Sequence, residues 1–138
     1  MTFHNSTSAE LLEKAIDRQP ITVHPDSLVI DVLLIMSQNR ASYSLILDEK
    51  KLIGIFTERD VVKITANQIN LAGVKIAQII SAQLITLLIT EKDDIFSVLS
   101  LLRSARIRHL PILDPYGGVI GVITPESLRK VLQPTDLL

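Results

Sequence analysis

Two short stretches carry the residue types best suited to chemistry: GIFTERDVV, from Gly54 to Val62, and GVITPESLR, from Gly121 to Arg129. Each runs from a glycine through an apolar pair to a threonine, and three residues later places a second hydrogen-bonding side chain: Asp60 after Thr57, Ser127 after Thr124. A threonine that ends a strand and opens a helix can cap it, and an acid at the third helical position lies in the positive end of the helix dipole. Such a cap is worth about 1 kcal/mol and needs no ligand. The same geometry makes a phosphate seat, because the first amides of the helix lack partners, and Asp60 can accept both hydroxyls of a ribose. Thr124 followed by Pro125 starts a helix adequately without a carboxylate, so capping alone does not require Asp60.

Other chemistries find little support. His4, His24 and His109 lie in separate segments, with no HExxH or close metal-ligand spacing. The hydroxyl residues lack the glycines of a nucleophile elbow, and there is no GxxxxGK[ST] loop, so the chain is not expected to be an enzyme. Asp93 and Asp94 stand at a helix start, where acids are expected on dipole grounds. With 14 basic against 15 acidic residues there is no net field to gather nucleic acid, and the one basic cluster, Arg103 to His109, has few aromatics to accompany it.

The elements that must position these groups fit one domain's worth of chain: 138 residues, 47% of them apolar. The absence of cysteine excludes disulfides and thiolate chemistry and fits a reducing compartment, so a cytoplasmic location is expected. The longest apolar run, Ile76 to Thr90, is broken by Gln78, Ser81, Gln83 and Thr86 and falls short of the about 20 residues a membrane span takes. The N-terminus lacks the basic start and apolar core of a signal peptide.

The chain is written twice. Arg40 matches Arg106 and Asp48 matches Asp114 at an offset of 66, Gly54 and Thr57 match Gly121 and Thr124 at 67, and Ile21–Val23 matches Ile85–Leu87 at 64. Offsets that change only in loops are what a duplication leaves. The first copy predicts a helix over Ser8 to Asp17, with Thr7 and Glu10 at capping-box spacing, then a strand at Ile21–Val23 and an amphipathic helix after Asp26. Strands at Tyr43–Leu47 and Leu52–Phe56 follow, and a helix after Thr57. The second copy predicts matching elements at Ile76–Ile80, Ile85–Leu87, Ile95–Ala105, His109–Leu113, Val119–Ile123 and Glu126–Leu132. The expected fold is α+β: tandem β-α-β-β-α repeats, residues 1–73 and 74–138, packed with pseudo-two-fold symmetry because one such unit is marginal alone.

In tandem and in this order, GIFTERDVV and the run from Ile107 through Thr124 resemble the cystathionine-β-synthase (CBS) domain pair, or Bateman module, over roughly Leu11 to Leu132. The first copy is also similar to pairs at the N-termini of bacterial sensor histidine kinases. The resemblance implies a regulatory module with no certain cofactor, whose ligand is an adenine nucleotide (AMP, ADP or ATP) or S-adenosylmethionine held in a cleft between the repeats. It further implies pairing into flat homodimeric discs and an attached output domain, a histidine kinase or another.

Carried over by position, the resemblance assigns Thr57 and Asp60 to ribose and phosphate, facing a base wall of Thr86, Leu87 and Leu88 with Ile107, Arg108, His109, Leu110 and Pro111. Arg59, Arg108 and His109 are candidate phosphate partners, Arg being suited to bidentate contact. The reciprocal site would join Thr124 and Ser127 to Ile21, Thr22 and Val23 and to the segment from Ala41 through Ser42 and Tyr43 to Ser44. Ser127 lacks the paired acceptors that suit a diol, so this second site is expected to be weak or empty. A ligand-free dimerisation scaffold, using the helices after each threonine, ERDVVKITA and ESLRKVL, and the amphipathic helices at Val29–Met36 and Ile95–Leu102, is the alternative.

Overall fold

A computed structural model describes residues 6–80 and 84–132; His4, Ser81 and Gln83 lie outside them. The chain divides into two compact units, Pro20–Leu84 and Met1–Gln19 with Ile85–Leu138. The unit holding residues 20–84 contains β1 (Thr22–Val23), α2 (Val29–Gln38), β2 (Tyr43–Asp48), β3 (Lys51–Thr57) and α3 (Glu58–Ala66), with a short 3-10 turn at Ile76–Gln78. The other contains α1 (Ser8–Ala15), β4 (Leu87–Leu88), α4 (Ile95–Ala105), β5 (Leu110–Leu113), β6 (Val119–Ile123) and α5 (Pro125–Arg129).

Each unit has a three-stranded sheet, ordered β1-β2-β3 or β4-β5-β6, whose first pair is parallel and second antiparallel. The predicted α+β repeat is therefore present twice. In α2, Val29, Val32 and Met36 share a face, and they pack with Ile46 and Phe56 of the sheet. In α4, Ile95 and Val98 pack with Leu110, Ile112 and Ile123. Both helices stop the same way: Arg40 (φ 50°) and Arg106 (φ 55°) turn left-handed, and the next amides return to Met36 and Leu102. The β2–β3 hairpin turns through Glu49 and Lys50, both at positive φ, which matches the strand twist. The β5–β6 turn is held instead by Asp114, whose Oδ1 accepts from the amides of Tyr116 (2.8 Å) and Gly118 (2.9 Å).

Element ends differ from expectation by a few residues. Helix α1 stops at Ala15, not Asp17, because Asp17 pairs with Val122: each amide donates to the other's carbonyl at 2.9 Å. β4 is shifted to Leu87–Leu88, β5 starts at Leu110, and α5 ends at Arg129, with Val131 and Leu132 still buried in the core.

The compact units do not follow the boundary between repeats. Helix α1 precedes the first repeat's strands, yet it packs on the second repeat's unit, where Leu11, Leu12, Ala15 and Ile16 join the core and Ser8 donates to Asp94 at 3.2 Å. The matching segment of the second repeat, Val74 to Ile80, completes the first repeat's unit: Val29 donates to Val74 and Ile76 to Ser27. The matched glycines now have a reason. A Cβ on Gly121 would collide with the Asp17 carbonyl and stand 2.6 Å from Ile16 Cγ2, and one on Gly54 would stand 2.7 Å from Ile80 Cδ1. Each repeat's leading segment thus lies against the other's central glycine.

Candidate functional site

The sheet topology brings most of the sequence-predicted residues of each unit to one end of its sheet, with Leu87 and Leu88 further along toward the other end. In the β1–β3 unit, Thr57 closes β3 opposite Tyr43, Glu58 donates to the Ser42 carbonyl at 3.1 Å, and Leu45 donates to Ile21 at 2.8 Å. Thr57, Asp60, Ser42, Tyr43, Ile21 and Thr22 therefore gather there, with Val23 one register step further along. In the β4–β6 unit, Leu110 pairs with Ile123 next to Thr124, and Ile107, Arg108 and His109 lead into that same end. Leu87 and Leu88 lie beside Ile112 and Leu113, following Thr86. Leu110 is fully buried among the core side chains, whereas Ile107 is only partly so.

The two strand-to-helix junctions differ in chemistry. Asp60 Oδ2 accepts from the Thr57 amide at 2.7 Å and from the Thr57 hydroxyl at 3.3 Å. A carboxylate offers two oxygens, so this cap occupies only part of its accepting capacity. Both residues are half-buried. At the other junction the box is closed: the Ser127 amide donates to Thr124 Oγ1 (3.0 Å), the Thr124 amide donates to Ser127 Oγ (2.8 Å), and that hydroxyl donates to the Thr124 carbonyl (3.1 Å). Thr124 and Ser127 are 4% and 6% exposed, so their polar atoms are turned inward and committed to one another.

The flanking charges also diverge. Arg59 is exposed, and among the described residues neither it nor Arg108 enters an ion pair. Its counterpart Glu126 lies 3.7 Å from Arg129. Burial works against the Glu126 charge, but a backbone amide, the Thr124 hydroxyl, Arg129 and His109 outweigh it and hold the carboxyl below its usual range. His109, expected from sequence as a phosphate partner, is among the groups of its own unit that favour the Glu126 charge. Glu126 itself carried no sequence signal beyond its place in the first turn. Asp93 and Asp94 accept from the amides of Thr90 (2.8 Å) and Ser97 (2.9 Å), which accounts for both as caps. Among the described residues there is no group of three metal-ligating side chains and no helix long and apolar enough to cross a membrane.

Two three-stranded sheets of one topology, each leading into a threonine-capped helix, define a paired-repeat module. The CBS domain family profile matches residues 12–67 and 76–134, and the chain belongs to that family. Among curated proteins it is 27% identical over 126 residues to a homoserine O-acetyltransferase of Methanococcus vannielii, an alignment covering 91% of this chain and 25% of that protein. The chain therefore spans about a quarter of that relative's length. Among solved structures it resembles the CBS domain pair of protein MJ0100 in complex with 5′-methylthioadenosine and S-adenosyl-L-methionine, with TM-score 0.71, 25% identity and coverage of 84% of this chain and 90% of that one. It shares its fold with a CBS domain protein from Pyrobaculum aerophilum complexed with AMP, with TM-score 0.75, 21% identity and coverage of 89% and 92%.

Proposed function

We propose that this chain is a regulatory module that binds one adenosine-containing ligand through Thr57 and Asp60 and passes the binding event to an attached output domain. The observation that carries the reading is the partly used Asp60 carboxylate at the first turn of α3, already oriented by Thr57. It suits a ribose diol, and the adjoining amides and dipole suit phosphate. Family membership and the adenosyl complexes of MJ0100 support the ligand class. The base wall carried over above, Thr86 to Leu88 and Ile107 to Pro111, belongs to the same proposal, as do Arg59, Arg108 and His109 as phosphate partners. The Thr124 and Ser127 end, with Ile21 to Val23, Ser42 and Tyr43, is the weaker site, because its polar atoms already satisfy one another.

The test is thermal melting of the chain with AMP, ATP and S-adenosylmethionine. The wild type should gain several degrees at saturating ligand, since binding to the native state alone adds about 2.7 kcal/mol at 100-fold excess over Kd. Asp60→Ala should keep the apo fold and lose that gain; an unchanged shift would refute the assignment.

A second reading, a homodimeric scaffold without ligand, draws on exposed apolar side chains: Ile30 and Leu34 on α2, Val62 on α3 and Phe96 on α4. A stable dimer whose melting ignores every adenosyl compound would favour it.

A further inference from the structure

Strand β2 contains a group that the site proposed at Thr57 and Asp60 does not use. Ser44 is fully buried, and its hydroxyl is the one buried side-chain polar atom among the described residues without a hydrogen-bond partner. Its cross-strand neighbour is Phe56, so both project to the same face of the sheet, the face that also carries Ile46 into the helix-covered core. At the matched position of the other sheet stands Leu110, also fully buried, opposite Ile123. One repeat therefore fills this core position with an apolar side chain and the other with an orphaned hydroxyl. Burying such a group costs free energy that Leu110 does not incur.

The place of this defect gives it meaning. Ser44 lies one register step from the Tyr43–Thr57 pair, and Thr57 is the residue that orients Asp60. We propose that Ser44 is a built-in destabilising element that lets the Thr57 end of β2 and β3 open locally, so that occupation of the neighbouring site is coupled to the closing of this strand pair. The coupling to a ligand rests on the function proposed above; the local weakness does not. Segments that respond to ligands are drawn from the less stable parts of a fold, and a strand pair that must be re-formed on binding converts occupancy into order.

Hydrogen exchange on the full chain, read by mass spectrometry, tests this. Without ligand, Ser44→Ala should slow exchange of the β2 and β3 amides roughly tenfold, since the penalty of an unsatisfied buried group is removed, and should leave β5 and β6 unchanged. Ser44→Val, which removes the hydroxyl but fills more volume, should act in the same direction and guards against a cavity effect. Exchange that stays the same or quickens in both variants overturns the proposal, because the hydroxyl is then satisfied in solution. AMP added to the wild type should protect the same amides, and Ser44→Ala should shrink that protection. If AMP, ATP and S-adenosylmethionine protect nothing in the wild type, the adenosyl reading and the coupling built on it both fail, while the ligand-free comparison still decides whether Ser44 weakens the strands.

Discussion

The junction at Thr57 and the junction at Thr124 descend from one pattern and have been spent differently. At Thr124 the serine hydroxyl both accepts and donates within the cap, and the pair is buried. At Thr57 a carboxylate does the same capping with one oxygen and keeps accepting capacity over. Both caps start a helix. The comparison therefore separates what a strand-to-helix turn needs from what a binding site adds: the first is met by Thr and any short acceptor, the second shows as capacity the fold does not consume.

The sharpest way to probe the kinship of the halves is through their glycines, where the largest effect is expected. Gly121→Ala forces a methyl group into the Asp17 carbonyl, which accepts from the Val122 amide while the Asp17 amide donates back to Val122, so it should cost about 3 kcal/mol or more in urea denaturation. Gly54→Ala meets mainly the far end of the Ile80 side chain, which can swing aside, and should cost nearer 1 kcal/mol. Equal losses would mean that the two leading segments are held alike.

Exchanging the junction residues is the next step down. Ser127→Asp would bury a carboxylate in a cap sized for a hydroxyl and should lose about 2 kcal/mol, whereas Asp60→Ser should keep the cap within about 1 kcal/mol while abolishing adenosyl-induced stabilisation. Calorimetric melting of both variants, with and without AMP, distinguishes a site from a cap.

Smallest is the pH effect of Glu126. Its carboxyl is held below the usual range in the folded chain, so its ionised form contributes stability above the unfolded pKa, and that contribution is lost as pH falls through the lower folded value. Glu126→Gln should flatten the acid limb of the stability curve slightly; a curve identical to the wild type would show that Thr124, Arg129 and His109 do not hold the charge.

The order of strands and helices was legible because each carries its own period, with a threonine after each glycine-led strand. On the helix after Asp26 the sequence pattern put Leu28, Val32, Ile35 and Met36 on one face, of which Val32 and Met36 are buried, joined by Val29, while Leu28 is exposed. Thr57 and Asp60 were legible as a pair because their spacing is that of a cap, and the structure finds them hydrogen-bonded to each other. The partner of α1 was not legible. Amphipathicity says that Leu11, Leu12 and Ala15 will be covered, not by which sheet. Ser44 was named only as the end of the segment assigned to the reciprocal site, and its burial without a partner was not legible because it follows from both faces of β2 being hidden. Glu126 escaped because its surroundings come from Arg129 and from His109, which lies distant in sequence.

The crossing of the leading segments sets a rule for how such a module can be inherited. Because Leu11 to Asp17 completes the later half and Val74 to Ile80 the earlier one, a genetic crossover near the midpoint would deliver two fragments, each missing a piece of its own interior. Only the whole tandem can be moved from one gene to another as a working part.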